Sequence, residues 1–264
     1  MFKELKFALY AIKKNIQNGT ELRTSFILTV IGMAINNGAF IATWIFFVQS
    51  VGEINGWQIV DVVGMNGFVA FSYGIMFSFF AGVRRLPQYV AEGTFDRFLL
   101  SPKNVLVRVA SSVFHASAVG DVLFGIICFG AYIIMSGLSV SQLFMMILLT
   151  CNAIIMFFAA SVIIYTSSFY FTDAFSVTYG FFDLFMSPTL FHGGIFHGTM
   201  RFIYTFLIPS LVIGALPAEI LKSISLQNTL TLIAITFLWL AFALYFFHRS
   251  VRRYESANFM TFGQ

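Results

Sequence analysis

Residues 142–168 read QLFMMILLTCNAIIMFFAASVIIYTSS and contain no charged side chain. A helix needs about 20 mainly apolar residues to cross a bilayer, so this stretch reads as a membrane span. The same length and polarity place further spans at roughly 25–49, 61–82, 109–135 and 228–248. Composition agrees. Of the 264 residues, 59% are hydrophobic and 10% charged, against roughly 45–50% and 25% in soluble domains. Mean hydropathy is +0.87, and 35 residues are phenylalanine. In water such a chain would expose large apolar patches. Soluble, disordered and disulfide-scaffold classes are excluded. The expectation is an all-α integral membrane protein, one transmembrane domain over residues 1–264.

Charge orients the spans. Lys3, Lys6, Lys13, Lys14 and Arg23 precede the first apolar run. Arg84, Arg85, Arg97, Lys103 and Arg108 lie between the second and third, and Arg249, Arg252 and Arg253 follow the last. Of the 15 basic residues only Arg201 and Lys222 fall elsewhere. Basic segments of this kind mark the cytoplasmic side, so both termini are expected inside. The net charge of +4 is then a matter of topology, and no nucleic-acid partner is expected. The first run, about 25 residues, is too long for the roughly 7–15-residue core of a signal peptide and is expected to remain. Before it, Leu5, Leu9, Ile12 and Ile16 recur at helical spacing with the lysines mostly off that stripe. That pattern predicts an interfacial helix within residues 1–24, apolar face toward the lipid.

Two inside termini require an even number of crossings. Ala174 to about Ile195 is long enough for one more, which makes six. Residues 196–227 then form an outer segment. Its apolar piece, Phe202–Leu216, is short and broken by Pro209 and Pro217, which predicts two short re-entrant helices, each ended by proline. Small residues recur every fourth position at Ala70, Gly74, Ser78 and Gly82, and again at Ser112, Ala116 and Gly120. Such ridges let membrane helices approach closely.

Motifs for covalent chemistry are missing. No P-loop and no HExxH occurs, and the four histidines have no metal-ligand spacing. Gly137-Leu138-Ser139-Val140-Ser141 lacks the closing glycine of a serine-nucleophile turn. Cys128 and Cys151 fall at similar depths in neighbouring spans but read as buried thiols rather than a disulfide. No catalytic or metal site is expected. Asp121 and Asp183 each fall within an expected span, where a carboxylate costs about 2.5–3.5 kcal/mol on insertion scales. Each should face the interior and find a partner, as part of a substrate pathway or a helix pairing. Asn36, Asn37 and His115 pose the same question at lower cost.

The segment of 83–104 between the second and third spans is charged yet keeps apolar residues. It includes Arg84-Arg85-Leu86-Pro87-Gln88-Tyr89-Val90-Ala91-Glu92-Gly93-Thr94-Phe95-Asp96-Arg97-Phe98-Leu99-Leu100-Ser101-Pro102. Pro87 suits a first helical turn, Gly93 a helix stop, and Thr94 or Asp96 a new N-cap. Three residues apart, Tyr89 and Glu92 would share a helix face, available to a cytoplasmic partner.

Glu92-Gly93-Thr94-Phe95-Asp96-Arg97-Phe98-Leu99-Leu100-Ser101-Pro102 resembles the Gly-Thr-Leu-Asp-x-Leu-Leu-x-Pro signature of type-2 ABC exporter permeases, with Phe95 in the usual leucine position. Phe171-Thr172-Asp173, Met186-Ser187-Pro188-Thr189 and Gly193-Gly194-Ile195-Phe196 are similar to the entry to span five and the outer segment of that class. Phe206-Leu207-Ile208-Pro209 with Leu216-Pro217-Ala218 looks like its paired-proline piece, while Thr172 stands where an arginine is usual. The resemblance implies a six-span subunit that pairs with a second permease, identical or homologous, and with two copies of a cytoplasmic ABC ATPase. ATP and Mg would sit on the ATPase, and this chain would bind no cofactor. Tyr89, Glu92, Gly93, Thr94, Phe95, Asp96 and Arg97 would couple the two proteins. Cargo would be amphipathic or lipid-like, leaving the cytoplasm or inner leaflet of a bacterial plasma membrane. The rival readings are a proton-coupled secondary transporter using Asp121 and Asp183, a membrane-embedded enzyme, and a scaffold.

Overall fold

The computed structural model describes residues 2–53 and 55–254. Among these the chain is helical, with no strand. The helices are α1 (Phe2–Thr20), α2 (Arg23–Val51), α3 (Ile59–Phe79), α4 (Leu86–Ala91), α5 (Asp96–Leu99) and α6 (Val105–Ala110). They continue with α7 (Ser117–Ser136), α8 (Val140–Thr166), α9 (Ala174–Met186), α10 (Gly198–Phe202), α11 (Ala215–Lys222) and α12 (Leu226–Val251). Five helices among the described residues, α2, α3, α7, α8 and α12, are long and apolar enough to span a membrane.

Helix ends follow from local chemistry. Ser139 and Gln142 cap α8 reciprocally, and Gln58 and Asp61 do the same for α3. Asn104, Asp173 and Ser225 cap α6, α9 and α12 through their side chains. Gly137, at φ +59°, stops α7 in the left-handed conformation that glycine adopts without strain.

α3 is the central element. It packs against α7, α8, α11 and α2, while α12 packs on α8. The small residues explain how close α3 comes. A Cβ on Gly74 would run into the backbone of Ala118 and Val122 on α7, and one on Gly82 into the Val109 carbonyl of α6. The second ridge behaves differently: Gly120 faces Val30 and Met33 of α2, not α3.

The bundle has two ends. One gathers α1, residues 81–110, the 3-10 turn Ser167–Tyr170 and the end of α12. There Lys103 Nζ lies 3.8 Å from the Phe7 ring centroid, Phe95 meets Phe169 and Tyr254, and Tyr170 Oη is 3.0 Å from Ser250 Oγ. This is the basic end. At the opposite end Asn55 donates to the Gly194 carbonyl at 2.7 Å, and Gln142 donates to the Leu221 carbonyl.

Several expectations need correction. The third span is broken. Ser111 and Ser112 turn their hydroxyls back onto the Val107 and Val109 carbonyls, and Asn15 of α1 donates to the Ser111 carbonyl. His115 N then bonds the Phe77 carbonyl, and the span restarts at Ser117. The stretch 174–195 is not one long helix. α9 has 13 residues and gives way to 3-10 turns at Ser187–Leu190, which contains Pro188, and at Gly193–Ile195. The chain still runs from α4 and the turn 167–170 to Asn55 and Trp57 at the far end. In the outer segment Pro209 follows the π turn Ile203–Leu207 as expected, but Pro217 opens α11 rather than ending a helix. At the third residue its missing N–H breaks no helical bond.

α1 has part of its inward face on protein. Asn15 bonds Ser111, Glu4 accepts from Asn104 N, and Leu9 is 59% exposed beside exposed Tyr10. Cys128 is buried and Cys151 exposed, and both are free thiols.

Candidate functional site

The segment 83–104 folds as α4, a left-handed turn and α5. Pro87 occupies the first turn of α4, and Gly93, at φ +67°, terminates it. The turn closes through Phe95 N donating to the Tyr89 carbonyl at 3.0 Å. Neither Thr94 nor Asp96 caps α5: Phe95 holds that position in helical conformation, with no side-chain cap.

Tyr89 is not on the outer face with Glu92. Its ring is buried against Phe98 and lies under the Arg97 guanidinium at 4.7 Å, and its hydroxyl is 3.1 Å from Ser112 Oγ. In a helix of six residues the aromatic ring goes to the apolar pocket available to it, here between α5 and the end of α6. Phe95, fully buried among Phe98, Phe169 and Tyr254, is the second anchor. Asp96 lies beside Tyr254, whose phenol is pushed up to about 12 by burial first and by the Asp96 hydrogen bond second. What remains outward is Glu92, held by Gln88 at 2.8 Å, together with Arg85, Ala91, Arg97, Leu99 and Leu100. Leu100 is 86% exposed. The result is a small charged and apolar surface on a rigid aromatic base.

A second feature lies within the bundle. A cavity of about 550 Å³ opens between α2, α3, α7 and the end of α9. Asn36, Asn37, Phe40, Thr43, Asn66, Tyr73, Asp121 and Phe124 supply its polar and aromatic wall. Asp121 is 4% exposed, and its Oδ1 accepts from Asn37 Nδ2 at 2.7 Å. Its Oδ2 is buried and has no hydrogen-bond partner among the described residues.

The other two candidates are not brought to this cavity. α9 buries Ala174, Thr178, Phe182 and Phe185, and Asp183, off that stripe, is exposed. The expected interior position of Asp183 therefore does not hold within the single chain. His115 sits half-buried in the break before α7 and lines no part of the cavity. Its imidazole pKa is lowered by burial, then by Arg84 and Arg85. Sequence reasoning singled out Asn37 and Asp121 but passed over Asn66 and Tyr73. Asn66, an amide inside the second span, was the available signal.

Residues 26–258 match the family model described as ABC-2 family transporter protein. The chain belongs to the ABC-2 transporter family. Neither a curated protein nor a solved structure matches it. An ABC-2 membrane subunit is a multi-pass transport component, not itself a catalyst, and the family works with an ATPase subunit. The matched range contains the segment around Glu92, the cavity beside Asp121 and the outer segment, and begins after α1.

Proposed function

We propose that this ABC-2 subunit is the membrane half of an ATP-driven exporter in a bacterial plasma membrane. Two permeases, identical or homologous, pair and bind two copies of a cytoplasmic ATPase that carries ATP and Mg. In this reading the basic end is cytoplasmic. The fifth crossing is made by α9 and the turns after it, which gives six crossings with both termini inside. Residues 196–227 fold back into the outer leaflet region. Cargo is amphipathic or lipid-like, and moves when ATP, bound more tightly by the closed ATPase pair, shifts the permeases between two arrangements.

The observation that carries the reading is the outward surface of Glu92, Arg97, Leu99 and Leu100 on a base of buried Tyr89, Phe95 and Phe98. A rigid base transmits a push, and an exposed rim of charge and leucine meets a partner. Tyr89, Gly93, Thr94, Phe95 and Asp96 then act by shaping that surface, and Glu92 and Arg97 by touching the ATPase. The proton-coupled rival draws no support from the geometry, because Asp121 and Asp183 do not share a site.

The test is Glu92→Ala in the permease–ATPase complex in proteoliposomes. Losing one partner of a desolvated charge contact at an interface costs about 2–5 kcal/mol, so ATP-dependent export should fall roughly 30-fold or more. Membrane abundance and melting temperature should stay at wild-type values. Gly93→Val should lower export as well, together with the melting temperature, since a β-branched residue resists the positive φ of that buried turn. Export equal to wild type at equal abundance, in both variants, would reduce the segment to a linker.

A further inference from the structure

The cavity beside Asp121 carries more information than its volume. At about 550 Å³ it has the size of a site for a drug-like molecule. Its lining includes one carboxylate, three amides from Asn36, Asn37 and Asn66, the rings of Phe40, Tyr73 and Phe124, and the thioethers of Met33 and Met186. Among the described residues no lysine, arginine or histidine lines it. Arg84, in the 3-10 turn after α3, lies over the rings of Phe77, Tyr179 and Phe182 and beside the Tyr73 hydroxyl, outside the lining. The carboxylate is thus half-satisfied: Asn37 holds one oxygen, and the other is buried with nothing to meet.

A carboxylate left this way inside a membrane protein is costly. If it served only to pair α2 with α7, an asparagine at 121 would make the same bond to Asn37 without a charge. The unmet oxygen, the aromatic wall and the lack of a protein cation all favour one ligand chemistry. An ammonium or other organic cation satisfies Oδ2, and the faces of Phe40, Tyr73 and Phe124 attract positive charge. An anion would be repelled, and a neutral hydrocarbon would leave Oδ2 as it is. The exposed positions of Asn36, Ala39 and Thr43 on α2 leave the cavity open from the side, which suits entry of an amphiphile from the plane of the bilayer.

We propose that this cavity is a binding site for amphipathic organic monocations, with the cationic group on the half-satisfied Asp121 carboxylate and the apolar body between Phe40, Tyr73, Phe124 and Met186. The proposal deepens the exporter reading by naming its substrate class, and rests on it for the direction of movement but not for binding.

The test uses the purified full-length permease without ATPase, so that binding and ATP coupling fail separately. Two probes of equal length are titrated by fluorescence: a dansylated long-chain primary amine and its neutral N-acetyl counterpart. Wild type should bind the amine about tenfold or more tightly than the neutral probe. Asp121→Asn, which keeps the Asn37 bond, should bring the amine down to the level of the neutral probe. Thr43→Trp, an exposed change that fills the mouth, should weaken both probes and leave the melting temperature unchanged. Equal affinity of wild type for amine and neutral probe would overturn the proposal without any variant, as would full amine binding by folded Asp121→Asn. Retained amine selectivity with no ATP-dependent transport in the complex would instead remove the exporter reading and leave the site.

Discussion

The segment around Glu92 and the segment from Gly198 to Lys222 are built from similar parts and do opposite things with charge. Both are short helices joined by turns at one end of the bundle, and both rest on buried apolar side chains. Between Gly198 and Lys222 the base is Leu211, Val212 and Ile213, with Gly214 tight against Met65 and Val69 of α3. There the charges close on one another. Arg201 pairs with Glu219, and Lys222 reaches Asp61 at 2.7 Å as well as the Gly56 carbonyl. At the basic end Arg85, Glu92 and Arg97 stay outward. The two basic residues that break the charge asymmetry of the sequence, Arg201 and Lys222, are thus both neutralised within the chain. One end is self-contained, and the other keeps its charge exposed.

The strongest way to break this contrast is to remove the base beneath the outward charges. Phe95→Ala deletes a fully buried ring that touches Phe98, Phe169 and Tyr254. Phenylalanine-to-alanine changes in a core cost about 3–5 kcal/mol. Thermal unfolding of the purified permease should therefore shift strongly downward, with coupling lost alongside. Stability would then separate Phe95 from Glu92, whose change to alanine should leave the melting curve in place. A Phe95→Ala protein that melts like wild type would show that the segment is not anchored.

At the self-contained end the expected effect is smaller. Lys222→Met keeps the aliphatic stem but removes the donor to Asp61, which is mostly buried and, among the described residues, retains the Gln58 backbone N–H. Leaving a buried acceptor short of a partner costs about 1–3 kcal/mol. Stability measured in low salt should fall by that order, while ATP-dependent export at permissive temperature should persist. A loss of export with unchanged stability would mean that this end also transmits the stroke.

Five spans were legible because a mainly apolar run of about 20 residues or more has few other destinations. The further crossing expected over 174–195 rested only on a count, and the structure has there a helix of 13 residues followed by 3-10 turns. The break at 111–116 was hidden: Val113 and Phe114 keep the stretch apolar, and the disruption comes from hydroxyls and from Asn15, which is far away in sequence. Gly93 was readable because a left-handed turn selects glycine. Tyr89 was not, because six residues are too few for a helical face to declare its direction, and the ring's partner Ser112 lies on another element. Asp121 announced itself by charge, whereas its cavity needed α2, α3, α7 and the end of α9 in place.

The mildest prediction separates the ends by pH. His115 sits at the basic end, half-buried, where burial first and Arg84 and Arg85 second lower its pKa below the ordinary 6.5. Above 6.5 the ring is neutral in folded and unfolded chains alike, and contributes no pH dependence. Below it, the unfolded chain takes up the proton first, so stability falls with acidification until the folded ring also protonates. Melting temperature should therefore drop between about pH 7 and pH 5, and His115→Gln should remove part of that drop while leaving the neutral-pH value nearly unchanged. Salt sharpens the attribution. Added salt screens the arginine contribution but not the burial, so most of the His115-dependent drop should survive in high salt. If salt abolished it, the arginines and not burial would govern the ring. An identical pH profile in wild type and variant would place His115 outside the charge economy of the basic end altogether.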